Sequence, residues 1–291
     1  CLNFLFFLIV ANRLATNGGT LYLDANEGSD LFTFDSLDVY EDSALIFIGD
    51  YERVNLSSGG SDGGYHGAGA VACGGVVRVH AGGAIHADGQ GFTPRMGPGK
   101  GTIGNYARGA GYGGVGGDGT SESLRTGGET YGTNIWPSAL GSGSTASSGG
   151  GAVWLISEGE ILVDGRISVD GGGAATALSA GAAGGSLLIV AGQVTGSGMM
   201  VARGGSVGGN PTAGGGGGKI TVLYGETALK RDKILAGRLD LARAVDGLAG
   251  FDGEVTAAAG SGYTGGEQQA EDGVVVFLQV IPAGGTVLMV R

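Results

Sequence analysis

The chain repeats one unit about every 33 residues, and this repeat constrains its fold more than any other feature. Each unit holds a glycine pair, a six-residue apolar segment, two shorter β-prone segments and a second glycine cluster. The apolar segments are Ala152–Ser157, Ser186–Ala191 and Lys219–Tyr224, and Gly159 and Gly192 are 33 residues apart. Short β-prone segments bounded by glycine and Asp-Gly turn signals, without helical spacing, indicate strands. One unit cannot bury both faces of its strands, whereas stacked units can, so the period predicts a solenoid.

We therefore predict an all-β fold, a parallel β-helix with glycine-rich loops and one coil per unit. Residues 59–291 would form the repeats, interrupted by a long insertion at 92–148. Residues 1–58 contain only four glycines and would form an N-terminal β-strand cap or docking segment. Within it, Leu2–Ala11 is either a buried first strand or the apolar core of a secretory signal. Thr227–Gly247 is ambiguous between helix and strand.

Composition narrows the class of protein. The 67 glycines among 291 residues exceed ordinary usage about threefold. Collagen is excluded because there is no strict Gly-X-Y period and there are only five prolines. Disorder is not expected, because 42% of the residues are apolar and they cluster into strands. The net charge of −11 and the absence of a basic patch with interleaved aromatics argue against nucleic-acid binding.

Two apolar runs, Ser186–Ala191 and Val274–Val280, have no polar alternation. A strand with one face toward solvent would alternate, so continuous apolar runs predict cover on both faces. Glycine-rich loops could lie close enough to provide it, or another protomer could. The second alternative predicts a homo-oligomer or filament whose contacts include Leu187, Ile189, Val274, Val276 and Leu278.

Three sequence segments are similar to a known class of repeats: GGGAVWLISEGEILVDGRISVDGGG, AAGGSLLIVAGQVTGSGMMVARGGSV and GGGGGKITVLYGE. They resemble the glycine-rich repeats of large secreted or cell-surface proteins with filamentous-haemagglutinin-like, pectin-lyase-like β-helices. The resemblance covers residues 59–225 well and 253–280 loosely. It implies a right-handed coil and an extracellular location, and it is specific for architecture rather than for activity.

The insertion holds spaced aromatic residues, Tyr106, Tyr112, Tyr131 and Trp136, which suggest a loop packed on the side of the repeats. If they are exposed, Tyr112, Tyr131 and Trp136 are candidate contacts for surface glycans. The segment Gly113–Ser121 partly matches a calcium-binding nonapeptide, with Asp118 as the candidate ligand. The pattern occurs once, and Thr120 stands where a large apolar residue belongs, so a plain turn is the alternative.

Other residues suggest chemistry less strongly. A polysaccharide-active enzyme would need gathered acidic and basic groups, for which Asp164, Arg166 and Asp170 are candidates, although Asp-Gly pairs also favour turns. Asn55 begins the one unblocked N-x-S/T glycosylation acceptor. The three histidines, His66, His80 and His86, do not indicate a zinc site. The two cysteines, Cys1 and Cys73, are too few for a disulfide framework.

These observations predict a non-enzymatic extracellular structural protein that builds or decorates a surface fibre, filament or matrix. A carbohydrate-binding module or adhesin that uses residues 106–136 is the first alternative, and a polysaccharide-active enzyme is the second. We expect no cofactor, no metal and no membrane-spanning segment.

Overall fold

The computed structural model describes residues 7–10, 13–16, 18–24, 31–48, 69–101, 108–119, 126–173, 179–208, 212–263 and 268–282. Its strands are β1 (Phe7–Val10), β2 (Arg13–Thr16), β3 (Gly19–Asp24), β4 (Leu31–Phe34), β5 (Ser36–Val39), β6 (Ser43–Ile48), β7 (Gly69–Cys73), β8 (Val77–Val79), β9 (Ala84–His86), β10 (Ala152–Ser157), β11 (Glu160–Val163), β12 (Arg166–Ser168), β13 (Ser186–Ala191), β14 (Gln193–Thr195), β15 (Met199–Val201), β16 (Lys219–Tyr224), β17 (Ala242–Val245), β18 (Glu254–Thr256) and β19 (Val274–Val280). The helices are α1 (Ala228–Leu235) and a 3-10 turn at Leu239–Leu241.

The strands form three sheets. The first has the order β1-β2-β5-β8-β11-β14, the second β17-β19-β16-β13-β10-β7-β4, and the third β18-β15-β12-β9-β6-β3. From β2 to β16 the chain visits the three sheets in turn, so equivalent segments of successive repeats become neighbours. Val153 pairs with Leu187, and Leu187 pairs with Ile220, both in parallel. The expectation that Ala152–Ser157 and Ser186–Ala191 lie side by side is confirmed.

The predicted fold class, one right-handed parallel β-helix with an N-terminal cap, is wrong. The structure instead has three mostly parallel sheets of six, seven and six strands in layers, with antiparallel β1 and β17 at the ends of two of them. The repeat predicts which strands pair, but it does not determine how sheets are arranged or how they end. Strands β2 to β6 join the same three sheets as later strands, and the expected boundary at residue 58 lies outside the described residues.

All three sheets turn one face toward a common core. Leu37 of the first sheet, Leu155 of the second and Ile167 of the third are completely buried there. In β6 the burial alternates strictly along the strand, as a pleated strand with one inward face requires. Because successive repeats place apolar residues at equivalent inward positions, the core is continuous from sheet to sheet.

The second sheet is also covered on its outer face. Every residue of β13 is buried, and outward-facing Leu188 and Val190 contact a second apolar cluster. That cluster includes Phe92 and Leu140 of the insertion and Ile234 of α1. The expected cover of this apolar run is therefore provided by the chain itself.

The glycine-rich segments form a bundle rather than a set of turns. We define the glycine bundle as residues 109–117, 127–128, 141–143, 149–151, 181–185, 204–205 and 214–218. The amides of three consecutive residues have acceptors in three different parts of the chain: Gly109 donates to the Gly117 carbonyl, Ala110 to that of Gly181 and Gly111 to that of Gly99, at 2.8–3.0 Å. Strand amides alternate between two sides, whereas an extended helix with three residues per turn directs them three ways.

Glycine is required in the bundle because the backbones touch. A Cβ on Gly128 would lie 1.7 Å from the Gly99 carbonyl oxygen, and one on Gly217 would lie 1.7 Å from that of Ala257. Side chains at these positions would separate the segments and break their hydrogen bonds.

Candidate functional site

A row of charged residues lies on the outer face of the third sheet. Two of the three predicted enzyme candidates meet there, because Arg166 Nη2 donates to Asp170 Oδ2 at 2.5 Å. The same guanidinium is 3.8 Å from Asp88, and His86 Nδ1 is 3.9 Å from that carboxylate. One repeat further along the sheet, Arg203 pairs with Glu254 at 2.8 Å. The row therefore alternates in charge and largely neutralises itself.

The carboxylates of this row accept hydrogen bonds from backbone amides and a side-chain hydroxyl. Asp88 accepts the Asp170 amide at 2.7 Å and the Ser168 hydroxyl at 2.9 Å, and Asp170 accepts the Arg203 amide at 2.6 Å. Burial raises the pKa of Asp170, and the hydrogen bond from the Arg203 amide opposes that shift. Both oxygens of Asp88 and of Asp170 therefore accept hydrogen bonds from other groups of the chain.

Asp164, the third enzyme candidate, is apart from this row. It lies at an exposed turn, where it accepts the Ser197 amide at 3.1 Å. Asp272 similarly accepts the Ala259 amide at 2.8 Å. These Asp-Gly carboxylates thus bind backbone amides of neighbouring segments, a role beyond the turn formation that the dipeptide predicted.

A buried lysine holds the insertion against the second sheet. Lys219 begins β16 and is 1% exposed, and its Nζ donates to the carbonyls of Tyr131 at 2.5 Å, Gly132 at 3.2 Å and Thr133 at 3.3 Å. The same Nζ lies 4.8 Å from the centre of the Tyr112 ring. Burial lowers the pKa of Lys219 to about 8. Sequence reasoning missed this residue, although a lysine at the start of the otherwise apolar KITVLY was a signal.

The aromatic residues of the insertion largely face inward. Tyr112 is completely buried, and its hydroxyl lies 2.6 Å from Ser186 Oγ, so its assignment as a glycan contact is wrong. The Tyr131 hydroxyl donates to the Leu140 carbonyl at 2.5 Å, and Ser142 Oγ donates to that hydroxyl at 2.9 Å. Trp136 is half-buried against the second apolar cluster, and Tyr106 lies outside the described residues. The three described aromatic residues, Tyr112, Tyr131 and Trp136, therefore do not form an exposed aromatic platform.

The two histidines that the structure describes, His80 and His86, have different partners. His80 stacks on Tyr40 with ring centres 4.4 Å apart, and its Nε2 is 3.4 Å from Asp38. His86 belongs to the charged row of the third sheet, and His66 lies outside the described residues. Within the ranges that the structure describes, no three His, Cys, Asp or Glu residues are grouped to hold a metal ion.

Asp118, the calcium candidate, is 4% exposed. Its Oδ2 accepts the Gln268 amide at 2.9 Å, and the Gln268 carbonyl accepts the Asp118 amide at 3.0 Å. Gly119 follows with φ of 69°, so the segment does turn here. Calcium binding at Asp118 stays a prediction.

The predictions for glycosylation and for the cysteines also involve residues outside the described ranges. Asn55, the glycosylation candidate, lies outside them, and so does Cys1. Cys73 is a buried free thiol, and burial raises its pKa to about 12.

The residues predicted for self-association divide into two groups. Leu187 and Ile189 are completely buried in the common core and Leu278 is 7% exposed, so the prediction that these three form contacts between copies is wrong. The reason is that the insertion, α1 and the other sheets of the same chain already cover both faces of the second sheet. Val274 and Val276 are half-buried on β19 and remain predicted contacts.

Sequence reasoning also missed a groove where strands of the second sheet lead into the first. It encloses about 880 Å³, and its charged lining residues are Glu158, Glu160 and Glu226. The guanidinium of Arg231, which is 2% exposed, donates to the carbonyls of Gly225 and Glu158, two residues that line the groove, and so anchors α1. Glu226 is more than 60 residues from Glu158 and Glu160, and only the stacking of repeats brings it to them.

In the described part of the chain, no helix combines the length and apolar character that a membrane span requires. Comparisons with protein-family models, curated proteins and solved structures found no match. The resemblance to glycine-rich repeats of secreted and cell-surface proteins is therefore a hypothesis that rests on the residues alone.

Proposed function

We propose that this chain is a non-enzymatic structural module of an extracellular fibre, surface or matrix, and that it associates with copies of itself. The observation that carries the proposal is the use of Asp-Gly carboxylates to join successive repeats. Asp164 accepts the Ser197 amide and Asp170 accepts the Arg203 amide, each 33 residues further along the chain. These carboxylates, which could serve acid–base chemistry, instead accept hydrogen bonds that join successive repeats.

The buried charges support the same conclusion. The ammonium group of Lys219 and the guanidinium group of Arg231 both donate hydrogen bonds to backbone carbonyls. Each fixes a covering element, the insertion or α1, to the second sheet. Because these buried cations attach the covering elements to the sheet, they support a structural role.

We assign self-association to the outer face of the first sheet. Leu162 is half-buried on that face, because its neighbour Ile161 points into the core. Its lateral partner is Arg78, whose guanidinium lies 3.5 Å from Asp38. A face that mixes apolar and paired charged residues can pack against another copy, whereas β13 and β16 of the second sheet are already covered.

The two alternatives have less support. Tyr112 and Tyr131 face inward, which weakens a carbohydrate-binding role for the insertion. The charged row of the third sheet is internally paired, which weakens an enzymatic role. The extracellular location rests only on the resemblance of the repeats to those of secreted and cell-surface proteins.

Sedimentation velocity over a hundredfold range of protein concentration tests the proposal. We expect larger species as the concentration rises, and we expect Leu162→Lys to reduce them. Leu229→Lys is the matched control, because Leu229 is a 63% exposed apolar residue on α1, away from the first sheet. A monomer at every concentration would contradict self-association, and equal effects of the two variants would contradict the assigned face.

A further inference from the structure

Strand β19 ends the parallel part of the second sheet, and only part of its outer edge is paired. One side of β19 pairs in parallel with β16. On the other side, β17 pairs in the antiparallel direction with Phe277–Val280 only. In the described part of the chain, no strand lies along this edge at Val274–Val276. An unpaired strand edge is a surface on which another chain can add a strand.

The hydrogen-bonding groups at this edge belong to alternate residues of β19. The Val274 amide donates to the Gly218 carbonyl at 3.0 Å, so Val274 and every second residue after it face β16. Val275, Phe277 and Gln279 therefore direct their amides and carbonyls to the outer edge, and we call them the edge residues. They are the backbone groups that a further strand would bind.

Strand β17 covers two of the three edge residues. Arg243 lies opposite Gln279 and Val245 lies opposite Phe277, whereas the pairing ends before Val275. The Arg243 guanidinium also donates to Gln279 Oε1 at 3.0 and 2.5 Å. The middle of β17 is exposed to solvent. A strand that satisfies more of the edge can therefore compete with this short cover.

A second copy of β19 would satisfy the whole edge. Two copies related by a two-fold axis present their β19 strands antiparallel, which is the direction that β17 already takes. If Phe277 lies opposite its counterpart, Val275 lies opposite Gln279 of the other copy, so every edge residue meets an edge residue. The sequence VVVFLQV of β19 contains no charged residue, so the pairing brings no like charges together.

We propose that β19 is a second self-association site, which pairs with β19 of another copy when β17 is displaced. In the single chain, β17 is an internal competitor that limits this association. The site is separate from the outer face of the first sheet, and it shares with the proposed function only the premise that copies associate. Val274 and Val276, which are half-buried in the single chain, would contact the other copy.

Two prolines in β17 give a matched test, because proline removes the backbone amide. Arg243→Pro removes an amide that faces β19, whereas Ala244→Pro removes one that faces away from it. Both are made in Leu162→Lys protein, so that failure of this site and failure of the first-sheet face are distinguishable. In sedimentation velocity, Arg243→Pro should dimerise with a dissociation constant roughly tenfold or more below that of Ala244→Pro.

Val275 shows whether the dimer forms at this edge. Its amide faces outward, so adding Val275→Pro to the Arg243→Pro protein should restore the monomer, whereas Val275→Ala, which keeps the amide, should not. Hydrogen exchange of the Val275 amide in the Arg243→Pro protein should slow as the dimer forms.

The proposal is overturned if Arg243→Pro associates no more than Ala244→Pro, or if its dimer persists with Val275→Pro. Circular dichroism checks that each variant is folded. If Arg243→Pro does not fold, Val245→Pro, which removes the other amide facing β19, takes its place in the same comparison.

Discussion

Replacing Gly217 by alanine is the sharpest test of the glycine bundle. The added Cβ would lie 1.7 Å from the Ala257 carbonyl oxygen and 2.4 Å from the Gly273 amide nitrogen, whereas real Cβ contacts essentially never fall below 3.0 Å. The surrounding backbone must therefore retreat by roughly 1 Å, which a close-packed interior resists. The atoms that must move are main-chain atoms, which cannot escape by changing rotamer.

The cost follows from the hydrogen bonds that this retreat breaks. The Gly217 amide donates to Glu271, the Gly217 carbonyl accepts from Gly113 and Gly114, and the Gly273 amide donates to Ala257. Loss of about three such bonds, at about 1 kcal/mol each, is offset by about 0.4–1 kcal/mol from the smaller backbone entropy of unfolded alanine. We expect Gly217→Ala to lower the free energy of unfolding by about 2–3 kcal/mol.

The assay is urea denaturation followed by tryptophan fluorescence and by circular dichroism. Gly74→Ala is the matched control, because nothing lies within 4 Å of the added Cβ and its φ is not positive. The control should be neutral or slightly stabilising. If Gly217→Ala and Gly74→Ala differ by less than about 0.5 kcal/mol, the close backbone contacts do not hold in solution, since such a difference is typical of an uninvolved surface site.

Two further predictions concern the carboxylates and the buried tyrosine. Asp170→Ala removes the acceptor of the Arg203 amide and the partner of Arg166, so it should lower the free energy of unfolding by about 1–3 kcal/mol. Asp164→Ala, at an exposed turn, should lower it by less than about 1 kcal/mol. Equal losses in chemical denaturation would contradict the role assigned to the row. The pKa of Tyr112 is raised to about 12 by burial, so the chain should lose stability as the pH rises from 10 to 12, because only the unfolded chain ionises this hydroxyl readily. Denaturation at pH 9 and pH 11.5 should show a smaller loss for Tyr112→Phe than for the wild type, and an equal loss would mean that Tyr112 is not protected.

The helix and the closing strand of the second sheet show where pattern reasoning stops. Thr227–Gly247 was ambiguous in sequence, and the structure resolves it into α1 and β17. Arg231 decides the position of the helix, since its guanidinium binds carbonyls at the ends of β10 and β16, which no local propensity encodes. The strand β17 forms because β19 offers it an antiparallel edge.

The candidate site was only partly foreseeable for the same reason. Asp170 and Arg166 are four residues apart, and their proximity could be inferred from the sequence. Asp88 is more than 80 residues away and reaches Asp170 only because equivalent turns stack. The enclosure of Tyr112 and Lys219 likewise depends on the return of the insertion over β16.

The sequence by itself determined which segments are strands and which of them are neighbours, because the period of apolar segments and turn glycines is a local pattern repeated in register. Only the tertiary structure decided that the strands divide into three sheets, that the glycine segments donate their amides in three directions, and that the insertion and α1 cover the second sheet. Those features depend on backbone contacts between residues distant in the chain. A glycine, which has no side chain, carries no local signal of the partner that its backbone will meet.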